Sequence, residues 1–122
     1  MPDSGFSTKR VYEDRAPGDG YRVLVDRLWP RGLTKEAAEL DEWNKVVAPS
    51  DGLRRWVHED LSRWAEFSRL YVEELRDSAE AVDALVERAG SGRVTLVYAA
   101  RDTEQNHANV LRLFLESKAL EP

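Results

Sequence analysis

The pattern of apolar and polar positions marks strands most clearly in two stretches of the chain. From Tyr21 to Leu28, Tyr21, Val23 and Val25 fall on one face and Leu24 and Leu28 on the other, until Pro30-Arg31-Gly32 ends the run; this predicts a strand. Val94–Ala100 is apolar on both faces apart from Thr95 and Tyr98, the pattern of a central parallel strand covered on both sides. Lys9–Glu13 reads as a short strand after a frayed start at 1–8, and Pro17-Gly18-Asp19-Gly20 as a turn. Asp41–Ala48 is ambiguous, with Trp43, Val46 and Val47 compatible with a third short strand.

Helical spacing fills the intervals. Thr34 caps a short helix through Leu40, and Ser50 caps one carrying Leu53, Trp56 and Val57 at i, i+3, i+4. From Ser62 the stripe is Trp64, Phe67, Leu70, Tyr71 and Leu75. Asp77 with Glu80 predicts a capping box for a helix with Val82, Leu85, Val86 and Ala89 inside, which Gly90 stops. Asp102 with Gln105 caps the final helix, whose inner face is His107, Val110, Leu111 and Phe114. Strands alternating with helices predict one small α/β domain over 9–118, a mostly parallel sheet of three or four strands flanked by helices.

The chain has 122 residues, no cysteine and a net charge of −5. That length supports one core without staples, and the missing thiols exclude disulfides, thiolate catalysis and Cys-based zinc sites. No apolar run reaches a membrane span, and the first residues lack the basic-then-apolar order of a signal peptide, so a cytoplasmic protein is expected. The acidic balance argues against a general nucleic-acid binder. Charge is uneven, however: residues 9–35 carry +3 and residues 36–90 carry −7, which suggests a local anion site on an acidic protein.

Two polar clusters follow the apolar strands. Asp26, Arg27, Trp29, Pro30, Arg31 and Gly32 follow the first; Arg101, Asp102, Asn106 and His107 follow the second. Ligands of open α/β sheets bind beyond the carboxyl ends of the strands, so parallel strands would bring these clusters together. His107 is read either as a core histidine satisfied by a carbonyl or carboxylate, or as a general acid/base at a strand–helix junction. Asp26 would orient it, accept a ligand hydroxyl, or form an ion pair with Arg27 or Arg101, the last being the commoner role for such a residue. Arg27, Arg31 and Arg101 would clamp a phosphate or carboxylate through their forked guanidinium groups, although Arg outnumbers Lys fourteen to four throughout the chain. Trp29 either stacks on a ligand or plugs the core to anchor its loop, and the plug is the reading favoured. Asp26, Asp102 and His107 are too scattered to argue for a metal, and no cofactor motif is present.

The segments Tyr21-Arg-Val-Leu-Val-Asp-Arg-Leu-Trp-Pro-Arg-Gly32, Leu40-Asp-Glu-Trp43, Ala48-Pro-Ser50 and Val94-Thr-Leu-Val-Tyr-Ala-Ala-Arg-Asp102 with Asn106-His107 resemble the YeaO-like family of small bacterial proteins. The resemblance runs from about Lys9 to Leu115 and implies a cytoplasmic α/β domain of unknown function. It extends to a broader group in which a Cys lies on the strand before the last helix and a Cys-His-Arg triplet follows. Tyr98 stands at that first Cys here, and Asn106-His107-Ala108 replaces the triplet, so only the His is shared.

Three functions are compatible with these residues. The first is a site for a small anionic, nucleotide- or sugar-phosphate-like ligand, bound by Arg27, Trp29, Arg31, Arg101, Asp102 and Asn106, with Asp26 and His107 handling a proton in hydrolysis or group transfer. The second is a non-catalytic interaction or regulatory module that docks a partner on the Trp/Pro/Arg loop. In the third, that loop is mainly architectural.

Overall fold

The computed structural model describes residues 5–121. Four strands form one fully parallel sheet in the order β1-β4-β2-β3, where β1 is Gly5–Arg10, β2 Tyr21–Leu24, β3 Glu42–Trp43 and β4 Arg93–Tyr98. The helices are α1 Lys35–Ala38, α2 Asp51–Glu59, α3 Trp64–Arg76, α4 Ala79–Ala89 and α5 His107–Ala119. This is the expected α/β class. β4 lies between β1 and β2, with Phe6 opposite Val94 on one side and Val23 opposite Leu96 on the other. Its central place explains why every residue from Val94 to Tyr98 is buried.

The two faces of the sheet are covered unequally. Val23, Val25, Val94, Leu96 and Tyr98 pack against Val57, Phe67, Tyr71, Leu75, Val82, Leu85, Leu111 and Phe114 from α2 to α5. The opposite face carries a smaller cluster of Val11, Leu24, Ala38 and Val97, with Trp29, Leu33, Leu40 and Ala99 at its margin. Arg22 is fully buried on this thinner side. Its guanidinium donates to Asp19 Oδ2 (2.8 Å), to the Ala38 carbonyl (2.9 Å) and to the Glu39 carbonyl (3.1 Å), and Lys9 also reaches Asp19. A buried charge is tolerable only when paired and hydrogen-bonded in this way. Burial works against the Asp19 carboxylate, but the Ala16 N–H and the Lys9 and Arg22 side chains outweigh it and hold its pKa below the usual value.

Several boundaries differ from the sequence reading. β1 begins at Gly5 and ends at Arg10, ahead of the expected Lys9–Glu13; of the start expected to fray at 1–8, residues 1–4 lie outside the described residues. β2 stops at Leu24, four residues early, although the Val25 N–H still reaches the Val97 carbonyl at 3.0 Å. The Asp77–Glu80 box does not form: α4 starts after Ser78 without a side-chain cap. Gly90 closes α4 in a right-handed conformation (φ −69°), so the left-handed stop is not used. The last helix starts at His107, capped by Asn106, whose side chain accepts the Asn109 N–H at 2.9 Å; Asp102 instead accepts the Glu104 and Gln105 N–H groups in the preceding turn. Thr34 and Ser50 cap α1 and α2 as expected.

Gly20 is required where β2 begins. Its φ is +65°, and a Cβ there would lie 2.3 Å from the Arg93 carbonyl oxygen.

Candidate functional site

Because all strands run the same way, the chain leaving β2 and the chain leaving β4 emerge at one edge, and α5 starts there. Asp26 lies two residues past β2. Its Oδ2 accepts the Ala99 N–H at 3.0 Å, one residue past β4, which ties the two strand ends together. Its Oδ1 lies 3.1 Å from His107 Nε2. The same nitrogen lies 3.0 Å from the Val25 carbonyl oxygen. Both neighbours of Nε2 are acceptors, so Nε2 carries the hydrogen. One N–H has one direction, and it is given to Val25; Asp26 Oδ1 is therefore buried without a hydrogen to accept.

His107 is fixed elsewhere as well. Its ring meets the edge of Tyr71 at 6.2 Å between centroids, and the Tyr71 hydroxyl donates to the Val47 carbonyl at 2.5 Å. Burial, with Glu74 and Asp26 nearby, drives the Tyr71 hydroxyl well above the ordinary tyrosine pKa, so it remains a donor. Nδ1 of His107 has no hydrogen bond among the described residues. Among the described residues the fully buried unpartnered atoms are Asp26 Oδ1 and Arg54 Nε, so Nδ1 is not fully buried, on a side chain that is 17% exposed.

The remaining sequence candidates separate into braces and free groups. Asp26 does not pair with Arg27 or Arg101; its neighbours are His107 and the Ala99 N–H. Arg27 donates through Nε to the Pro49 carbonyl (3.0 Å) and through Nη2 to the Ala48 carbonyl (3.4 Å), bracing the entry to α2. Two of its nitrogens are thus committed to backbone carbonyls. Arg31 and Arg101 are exposed, and neither guanidinium has an ion-pair partner among the described residues. Trp29 is the plug: half-buried, it donates Nε1 to the Leu33 carbonyl at 2.6 Å and stands edge-on to Trp43 at 5.3 Å. Gly32, with φ +73°, lets that loop turn back. Asp102 and Asn106 shape the start of α5, and Asn106 is buried.

Sequence reasoning passed over two groups here. Trp43 Nε1 donates to the Asp26 carbonyl at 2.8 Å, and Arg10 donates to the Ala99 and Ala100 carbonyls at 3.1 and 2.8 Å. Both hold backbone carbonyls, for which residue patterns give no signal. Tyr12, Leu28, Trp43 and Val46 are exposed in the segments that follow or end β1, β2 and β3. Cavities of about 370 Å³ (Glu42, Ala84, Leu85, Glu87, Arg88, Ser91) and about 450 Å³ (Arg15, Ala16, Pro17, Gly20, Glu39) open elsewhere, and neither includes Asp26 or His107. At the strand ends Asp26 and His107 are mostly buried, with 15% and 17% of their side chains exposed. Among the described residues no group of three or more His, Asp or Glu is placed to hold a metal. None of their helices is long and apolar enough to cross a membrane.

Together, the sheet topology and the site define a parallel four-stranded α/β class of protein with a His–Asp contact at the carboxyl edge of its sheet. The chain belongs to the family described as the inactive DUF488-N3 subclade, whose model matches residues 5–121. It is similar to the uncharacterized protein YeaO of Escherichia coli K12, with 44% identity over 109 residues, covering 89% of this chain and 95% of that one. It is also similar to the uncharacterized proteins Rv3073c of Mycobacterium tuberculosis H37Rv and Mb3100c of Mycobacterium bovis, each 47% identical over 109 residues, covering 89% of this chain and 92% of theirs. No solved structure matches it.

Proposed function

We propose that the protein binds a small anionic ligand bearing a hydroxyl group, such as a sugar phosphate, at the carboxyl edge of its sheet, without turning it over. One observation carries the reading: Asp26 Oδ1 is a buried acceptor with no hydrogen supplied by the protein, beside a histidine whose second nitrogen is open. Such an acceptor costs about 1–3 kcal/mol when left alone, and a ligand hydroxyl would relieve that cost. Arg31 and Arg101, uncommitted among the described residues, supply the charge for the anionic end. The lack of turnover is supported by the description of the subclade as inactive. Titration of ¹⁵N-labelled protein with ribose 5-phosphate and with inorganic phosphate tests it. Saturable shifts at Asp26, Ala99 and His107, stronger for the sugar phosphate, are expected; no shifts at these residues up to millimolar ligand would contradict it.

A second reading, a docking module, is favoured by Tyr12, Leu28, Trp43 and Val46, which are exposed in the same segments. In that case Trp43→Ala abolishes capture of a protein partner while the small-molecule titration stays flat.

A further inference from the structure

We propose that His107 is a phosphoryl acceptor, its Nδ1 taking a phosphoryl group from a phosphorus–nitrogen donor while Asp26 acts as the positioning residue. The proposal rests on the ligand site above and names the anion it serves as a phosphoryl group.

The geometry separates the two ring nitrogens. Nε2 faces the Val25 carbonyl oxygen at 3.0 Å and Asp26 Oδ1 at 3.1 Å, so it holds the hydrogen and cannot attack. The lone pair of the neutral ring is then on Nδ1, which is not fully buried and has no protein partner among the described residues. Attack through Nδ1 places positive charge on the ring, and Asp26 Oδ1 is already beside it with nothing else to accept. A carboxylate that steadies the cation behind a reacting imidazole shares that part of the role of the acid in a catalytic triad, while the Val25 carbonyl fixes the tautomer. The carboxylate is itself fixed by the Ala99 N–H through Oδ2, and the ring rests against Tyr71, so neither partner must reorganise.

The chemistry balances with a phosphoramidate donor, whose nitrogen is protonated at neutral pH. The Nδ1 lone pair forms the new N–P bond as the donor's P–N bond breaks, and the electron pair leaves with nitrogen as neutral ammonia or an amine. The ring retains its Nε2 hydrogen, and its positive charge is balanced by Asp26. Each chain is modified once, so no turnover is required. His58 provides an internal comparison, being exposed at the end of α2 with no ion pair or hydrogen bond from its ring among the described residues.

The experiment incubates the intact chain with potassium phosphoramidate and assigns the product by ³¹P and ¹⁵N-histidine NMR and by peptide mapping. The expected result is phosphorylation of His107 at Nδ1 about tenfold or more faster than His58, with His107→Gln losing that label and keeping the label on His58. Asp26→Asn should slow labelling of His107 about tenfold or more while His58 is unchanged, a ratio that a merely structural role would not move. Modification of His107 at Nε2, equal rates at the two histidines, or unchanged labelling in Asp26→Asn would overturn the proposal. Since the wild-type site map stands alone, it decides even where a variant misfolds. Labelling at Nδ1 without reversible sugar-phosphate binding would refute the ligand reading alone, and reversible binding without labelling would refute the acceptor alone.

Discussion

Replacing Asp26 by Asn removes one charge and one acceptor while keeping the shape, and the structure fixes what each loss costs. If the Asn oxygen takes the Ala99 N–H, its NH₂ lies beside the N–H group at His107 Nε2, whose hydrogen points to Val25; the flipped rotamer sets NH₂ against the Ala99 N–H. A donor group meets a donor group in both cases. Replacing the charged acceptor of the Ala99 N–H by a neutral or mismatched one costs about 1.5–3 kcal/mol. Removing a largely buried charge whose Oδ1 was unpaired offsets about 1 kcal/mol of that, by relief of the desolvation penalty. The net destabilisation is about 0.5–2 kcal/mol, against a total of about 5–15 kcal/mol for a folded domain. At about 3–6 °C per kcal/mol for a chain of this length, Tm falls by about 2–12 °C. Urea unfolding followed by tryptophan fluorescence measures the change directly. A midpoint shift equivalent to less than about 0.5 kcal/mol would refute the reasoning, because Asp26 would then not be bracing the two strand ends.

Further outcomes follow from individual contacts. Gly20→Ala combines positive φ with a Cβ 2.3 Å from the Arg93 oxygen, so a loss of about 2–5 kcal/mol in urea unfolding is expected. Tyr71→Phe leaves the buried Val47 carbonyl unpaired and should cost about 1–2 kcal/mol; in the wild type, ultraviolet titration should show tyrosine that does not ionise in the ordinary range until the fold is lost. Asp19 has a lowered pKa when folded, so its stabilisation is present above the unfolded value of 3.8 and is lost as pH falls through the lower folded value. Asp19→Asn should therefore be less stable than wild type at pH 7, with the gap narrowing in urea series carried below pH 3.8.

The strands were legible where burial is two-sided or alternating. Val94–Tyr98 announces a central strand because both of its faces are covered, and parallel pairing then places Asp26 and His107 at one edge. β1 was displaced because Ser7, Thr8, Lys9 and Arg10 give an edge strand no apolar alternation. Arg22 reads as a polar position on an ordinary strand, yet it is buried; the turn residue Asp19 and two carbonyls that complete its shell have no common sequence signature. Arg27 was assigned to an anion for a similar reason. A guanidinium satisfied by the Pro49 and Ala48 carbonyls cannot be told from a free one by residue type. The Asp26–His107 contact was foreseeable from the end of β2 and the inner face of α5. The assignment of the Nε2 hydrogen was not, because it depends on the Val25 carbonyl.

The account rests most directly on which nitrogen of His107 carries the hydrogen. Long-range ¹H–¹⁵N correlation of histidine-labelled protein above pH 7 reports the tautomer of each ring. The structure requires a protonated Nε2 and a bare Nδ1 at His107, set by the Val25 carbonyl and Asp26, with Asp26→Asn weakening that preference. A protonated Nδ1, or the mixture of an unconstrained imidazole, would contradict it and remove the basis for both the ligand site and the phosphoryl acceptor.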